Sequence, residues 1–162
     1  MRLYFAYGSN MCAKQMAFRC PGARPVGRAA LRDWRFHANT RGSAAIRPQA
    51  GGVVHGVLWR CTPAHFHLLD RFEGVAWGNY LRRHVDIRMS CGTLAPAVTY
   101  IGTRTYDGRA RVRYMMTSVL PGAEAFDLPP HYLEELRSWL PRGAIGEKRV
   151  PVIRGARPIR YL

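Results

Sequence analysis

The chain has 162 residues, is 48% apolar, and sets 25 Lys and Arg against 10 Asp and Glu, a formal charge of +15. That length suits one domain of about 100–200 residues. No apolar run reaches the roughly 18–20 residues that a membrane span needs, so a membrane partner is not expected.

Cys12, Cys20, Cys61 and Cys91 stand apart without a C-x-x-C pair, which argues against a zinc ribbon and against a dense disulfide framework. The N-terminus lacks a long apolar core and a small-residue cleavage site, so it does not read as a secretion signal. Reduced thiols in a cytoplasmic protein are the expectation. Nearly all the positive charge is arginine, Lys14 and Lys148 being the lysines, and it is scattered from Arg2 to Arg160. Scatter of this kind predicts a solvated basic face and no specific nucleic-acid partner.

In chain order, Leu3 to Tyr7 reads as a buried strand and Met11 to Phe18 as a short helix ending at Cys20-Pro21-Gly22. Strands are expected at Ala29 to Ala38, Ala44 to Arg47, Val53 to Arg60, Tyr80 to Met89 and Ala97 to Ile101, from β-branched and aromatic content or period-two alternation. In YLRRHVDIRM, Leu81, Val85, Ile87 and Met89 share a face, with Arg83 the exception. Thr62-Pro63 opens a helix that places Phe66, Leu69 and Phe72 near one side before Gly74 ends it. Pro129-Pro130 opens another, striped by Tyr132, Leu136, Trp139 and Leu140. Many strands with few short helices predict an α+β fold with mostly antiparallel pairing. A single domain over 1–162 is expected, its motif-bearing core about 1–140 and a basic tail about 141–162.

Several constellations can be weighed for chemistry. On a helix His65 and His67 diverge by about 200°, too far apart to grip one ion, and no metal is expected. Ser9 follows Gly8 without the G-x-S-x-G pattern of a nucleophile elbow. Asp70, Glu134, Glu135 and Glu147 fit solvated positions. Glu73 differs, because it ends its helix between Phe72 and Gly74, with Trp77 close behind. The helix C-terminus and aromatic neighbours both disfavour a carboxylate and raise its pKa, as suits an acid/base group. YFAYGSNM, Tyr4 to Met11, runs from a strand through Gly-Ser-Asn into a helix. Backbone N–H groups there can receive carboxylate or oxyanion oxygens, and Gly8 permits close approach. An ordinary capped turn would use the same residues.

Taken together, YFAYGSNM, AAIRP with GGVVHGVLW, LDRFEGVAWGNY, AVTYIG and LPPHYLEEL resemble the γ-glutamylcyclotransferase family with its AIG2-like fold. The match runs in order over about residues 1–105 and again near Leu128. Thr103 to Leu120 lacks a clear counterpart. The resemblance implies a mixed, mostly antiparallel β-barrel-like core flanked by short helices. It also implies that Tyr4, Phe5, Ala6, Tyr7, Gly8, Ser9 and Asn10 line the site, that Glu73 is the catalytic acid/base and that Tyr100 contacts substrate. Tyr80 and Arg82 are further candidates. The implied reaction is cofactor-independent: a γ-glutamyl amide cyclises to 5-oxoproline and releases an amine. Two alternatives stand beside it. One is the same chemistry on a γ-glutamylamine or a biosynthetic γ-glutamyl intermediate. The other is a non-enzymatic basic protein that holds RNA or another polyanion.

Overall fold

A computed structural model describes residues 1–144. The expected basic tail therefore falls almost entirely outside the described residues. Five strands close into a barrel in the order β1-β3-β2-β4-β5. They are β1 (Arg2–Ala6), β2 (Arg24–Ala38), β3 (Ala44–Cys61), β4 (Tyr80–Met89) and β5 (Leu94–Gly102). Each pair is antiparallel except β1 with β5, which run parallel through Tyr4 and Val98. One parallel seam is what makes this barrel mixed, and it sets the end of β1 beside Tyr100.

Short helices cover the barrel: α1 (Ala13–Arg19), α2 (Pro63–Glu73), α3 (Val112–Tyr114), α4 (Leu120–Ala125) and α5 (Pro130–Ser138). A π-helical turn, Met115–Val119, joins α3 to α4. Phe5, Phe36, Ile46, Val57, Leu58 and Ile87 are sealed in the core, and Leu69, Tyr132 and Leu136 dock α2 and α5 onto it. Burial of each such side chain contributes about 1.5–3 kcal/mol.

Two expected strands, Ala44 to Arg47 and Val53 to Arg60, are one continuous β3. Gly51-Gly52 does not turn the chain. Instead Gly51 takes φ +74°, its N–H donates to Asp33 Oδ1 at 2.9 Å, and β2 shifts register between Arg32 and Trp34. The irregularity on β2 absorbs the kink, so the ladder continues past it. β4 also departs from its expected face. Ile87 is buried and Val85 half-buried, but Leu81 is 40% exposed, because the first half of β4 lies at the rim of the barrel.

The β2–β3 turn is tied internally. Asn39 Oδ1 accepts from the N–H of Arg41 at 2.9 Å and of Ser43 at 3.1 Å, a side chain standing in for a backbone acceptor. The segment after β5 then lies along this turn. Gly108 N–H donates to Ala38 O at 2.8 Å and Arg111 N–H to Gly42 O at 3.1 Å. Asp107 takes a bidentate ion pair from Arg47 at 2.7 and 3.1 Å. These bonds carry the stretch 103–120 to the mouth of a cavity.

Candidate active site

Glu73 is the last residue of α2, and local chemistry fixes where that helix ends. Thr62 Oγ1 accepts from His65 N–H at 3.3 Å while His65 Nδ1 accepts from Thr62 N–H, a reciprocal cap with Pro63 at the first helical position. His65 is thus a capping residue, its Nε2 lying 3.0 Å from Pro21 O. At the other end Gly74 adopts the left-handed conformation, φ +66°, where a Cβ would meet Asn79 Nδ2 at 2.5 Å. The helix stops there, and the Glu73 carboxylate is left at its negative end.

The β1–α1 connection meets it. Gly8 leads into a single tight helical turn over Ser9–Met11. Asn10, 3% exposed, uses its whole side-chain amide: Nδ2 donates to Tyr4 Oη at 2.8 Å and to Glu73 Oε1 at 3.0 Å. Its Oδ1 accepts from Gln15 Nε2 at 3.0 Å and from Arg19 Nη1 at 2.9 Å. Arg19, on α1, also approaches Glu73 Oε1 at 3.4 Å and stacks its guanidinium 4.8 Å from the Phe72 ring centroid. Every partner of Glu73 is on Oε1. Among the described residues Oε2 has none.

These groups enclose a cavity of about 170 Å³ lined by Tyr4, Tyr7, Gly8, Ser9, Asn10, Arg19, Ser43, Ala44, Phe72, Glu73, Tyr80, Tyr100, Arg111 and Tyr114. The Glu73 side chain is 16% exposed. Burial lifts its pKa above the ordinary carboxylate value, opposed by the Arg19 charge and the Asn10 hydrogen bond. The water-excluding wall is not Trp77, which is 76% exposed. It is the five tyrosines with Phe72, gathered from β1 and the connection after it, β4, β5, α2 and α3. Burial, first among the causes, raises all five phenols, so they remain neutral donors at physiological pH. Glu73 is the one carboxylate among the lining residues.

The phenols divide by where their protons go. Tyr7 Oη donates to Tyr100 O, Tyr80 Oη to Ala44 O at 2.7 Å and Tyr100 Oη to Asp70 Oδ1 at 2.7 Å. Tyr100 therefore lends the cavity its ring while its hydroxyl is held from behind. Asp70, expected in solvent, is only partly exposed and also pairs with Arg82 at 3.4 Å. Tyr114 Oη, in contrast, accepts from the N–H of Ser9 at 3.2 Å and of Ala44 at 3.4 Å. Both lone pairs are taken, and its proton has no acceptor among the described residues.

Of the positions expected in the site, Tyr4, Tyr7, Gly8, Ser9, Asn10, Glu73, Tyr80 and Tyr100 line this one cavity. Phe5 and Ala6 do not. Phe5 is fully buried with its O accepting from Thr99 Oγ1 at 2.9 Å, and its ring fills the space over Gly56. Ala6 sits in the ladder opposite Val57. Arg82 is also outside, drawn to Asp70 and the Phe66 ring. Ser9 Oγ accepts from Gln15 Nε2, and no histidine lines the cavity to activate it. Sequence reasoning missed Arg19, Ser43, Ala44, Arg111 and Tyr114, while Phe72 enters it only as an aromatic neighbour of Glu73. Only Arg19 left a trace, as a cation on the last turn of the helix that follows the Gly-Ser-Asn turn.

Comparison with known proteins agrees with this architecture. Residues 4–118 match the family model "Gamma-glutamyl cyclotransferase, AIG2-like", so most of the stretch from Thr103 to Leu120, expected to lack a counterpart, lies within the match. The chain is 28% identical to human gamma-glutamylcyclotransferase, over 90% of its own length and 82% of the relative's, and 28% identical to the mouse protein, over 94% and 87%. A solved structure named gamma-glutamyl cyclotransferase superposes with a TM-score of 0.79 at 28% identity, covering 85% of this chain and 86% of the other. YkqA from Bacillus subtilis superposes at 0.72 and 27% identity, over 85% of this chain and 53% of its own. With a closed mixed barrel, a tyrosine-walled cavity and a family match over most of its length, the chain belongs to the AIG2-like γ-glutamylcyclotransferase family.

Proposed function

We propose that this chain converts a γ-glutamyl amide into 5-oxoproline and a free amine, with Glu73 carrying the proton. The observation that supports it most is the meeting of Glu73 with the Gly8–Asn10 turn in one small cavity. A γ-glutamyl amide holds its α-amine within reach of its own γ-carbonyl, so the site has to curl the chain, move a proton and steady an oxyanion. Fixing such a near-attack geometry lowers the barrier by up to about 7–11 kcal/mol.

In this reading the substrate's α-ammonium faces Glu73 Oε2, the oxygen without a partner among the described residues. Glu73 removes a proton, and the freed amine attacks the γ-carbonyl carbon. A C–N bond forms, and the carbonyl π pair moves onto oxygen. The Tyr114 hydroxyl and amides of the Gly8–Asn10 turn steady that oxygen. As the tetrahedral centre collapses, the original amide C–N bond breaks and the departing nitrogen takes that proton from Glu73. Glu73 then removes the second proton from the ring nitrogen and hands it to the released amine, so that the amine leaves as an ammonium and Glu73 is again a carboxylate. Atoms and charge balance without water or an added oxidant. A raised carboxyl pKa suits the cycle, since the same group must be basic enough to accept the proton and acidic enough to return it.

The direct test offers a panel of γ-glutamyl amino acids, γ-glutamylamines and glutathione to the protein and measures 5-oxoproline. Release from at least one is expected. Its absence from the whole panel overturns the reading.

Gly8 gives a second check. A Cβ there would lie 2.9 Å from Ala44 Cβ and 3.0 Å from Tyr114 Oη, one contact structural and one in the reacting region. Gly8→Val is therefore expected to cost about 1–3 kcal/mol of stability by urea unfolding, a typical overpacking penalty. It should also lower kcat at temperatures where the variant is fully folded. Full kcat in the folded variant would make the glycine a packing residue only.

A further inference from the structure

Among the residues lining the cavity, Arg111 is a cation that the proton chemistry does not use. Its Nη2 donates to Ser43 Oγ at 2.9 Å, and its guanidinium carbon lies 5.3 Å from the Tyr114 ring centroid. No Asp or Glu among the described residues pairs with it. Arg19, the other lining cation, already faces Glu73.

The position of Arg111 is built rather than incidental. Its N–H bonds to Gly42 O, and Gly42, at φ +72°, approaches so closely that a Cβ would lie 2.7 Å from Arg111 Cγ and 2.9 Å from its N. The preceding residues are clamped by Asp107 to Arg47 at 2.7 Å. A guanidinium with two of its donor edges unassigned, stacked on an aromatic ring, is pre-organised for a carboxylate.

Depth within the cavity indicates which carboxylate. Asn10 is buried and Glu73 nearly so, Tyr114 is half-buried, and Arg111 is exposed at the mouth. The reacting glutamyl end belongs at the deep end beside Glu73 and the turn. The part of the substrate that leaves must extend past Tyr114 toward solvent, where Arg111 stands. Charge points the same way. Glu73, Arg19 and Arg111 are the lining ionic groups, so the site carries one net positive charge. A γ-glutamyl amino acid has two carboxylates and one ammonium and would neutralise it, whereas a γ-glutamyl alkylamine is a net-neutral zwitterion.

Resting on the cyclotransferase reading above, we propose that Arg111 is a specificity-determining residue that receives a carboxylate on the leaving amine. Its contact then sets how strongly the site discriminates between a γ-glutamyl amide whose leaving amine bears a carboxylate and one whose leaving amine does not.

The test compares γ-glutamylalanine with γ-glutamylethylamine, which differ by that carboxylate alone. Wild type is expected to favour the alanine compound, with a preference that declines as salt rises. Arg111→Met is expected to reduce the ratio of the two kcat/KM values about tenfold, the size of one charge-assisted contact discounted for its solvent exposure. Taking the ratio cancels any shared effect through Tyr114. Arg111→Lys should restore part of it. An unchanged ratio in Arg111→Met, with both substrates slowed equally or not at all, overturns the proposal. If wild type releases 5-oxoproline from neither compound nor from the wider panel, the cyclotransferase reading itself fails, and this falls with it.

Discussion

Glu73→Gln is expected to lower kcat by about 10²–10⁴-fold, the range that a positioned acid/base group commonly contributes. The substitution is nearly isosteric. A Gln oxygen at the place of Oε1 can still accept from Asn10 Nδ2 and Arg19 Nη1, now at 3.0 and 3.4 Å, so the turn should keep its shape. What disappears is basicity at the atom facing the cavity. The tyrosines cannot replace it, because burial keeps their protons on. A folded Glu73→Gln protein that turns over at near wild-type rate would remove Glu73 from the reaction.

The same carboxyl makes a signed prediction for stability. Its pKa is raised in the folded protein, chiefly by burial. Between the unfolded carboxylate pKa and the raised folded one, the native state binds more protons than the unfolded chain. Stability therefore falls as pH climbs through that window, and the buried charge is a net cost above it. Gln carries no such cost. The melting temperature of Glu73→Gln relative to wild type should accordingly rise from acidic to mildly alkaline pH. A relative melting temperature that drops instead would mean that Arg19 holds the folded carboxyl below its ordinary range.

How far the sequence disclosed this site follows from the distance over which each feature is encoded. The end of α2 is local: Thr62-Pro63 and Gly74 bracket eleven residues, and both caps act as their residue types require. Glu73 could thus be placed at a helix terminus without knowing anything it touches. The strand-to-turn passage at Gly8 is local too. Its partners are not, for Asn10 reaches Glu73 across 63 positions and Ser9 reaches Tyr114 across 105. Trp77 shows how adjacency misleads. It follows Glu73 closely in sequence, but after the Gly74 reversal it points into solvent, and rings from four other elements dry the carboxyl along with Phe72. Phe5 and Ala6 share a motif with cavity residues yet serve the barrel, since a strand can offer a site only some of its side chains. The stretch 103–120 does carry helical spacing in Met115, Val119 and Leu120, all buried, but that pattern does not say where its helix docks. Its backbone is held by ties to the β2–β3 turn, and a π-helical turn interrupts its helix, so Arg111 and Tyr114 emerge only from the folded chain.

Tyr114→Phe is the companion experiment, expected to reduce kcat about 10²–10³-fold, the usual effect of deleting one oxyanion donor. The ring would stay in place against Arg111, and only the oxygen would go. Two backbone donors lose their acceptor with it, those of Ser9 and Ala44. A modest stability loss of about 1–3 kcal/mol should therefore accompany the change. The rate effect must be larger than that loss explains, and it must fall on kcat rather than KM. The developing negative charge exists only in the transition state, so an interaction with it contributes nothing to ground-state binding. The pH profile separates this residue from Glu73. Tyr114→Phe should retain the acid limb of the rate profile at a lower plateau, because the proton carrier is intact, while Glu73→Gln should abolish that limb. If Tyr114→Phe keeps wild-type kcat, or loses rate only through a higher KM, the hydroxyl is a structural acceptor for the turn. The oxyanion would then have to rest on the turn amides alone.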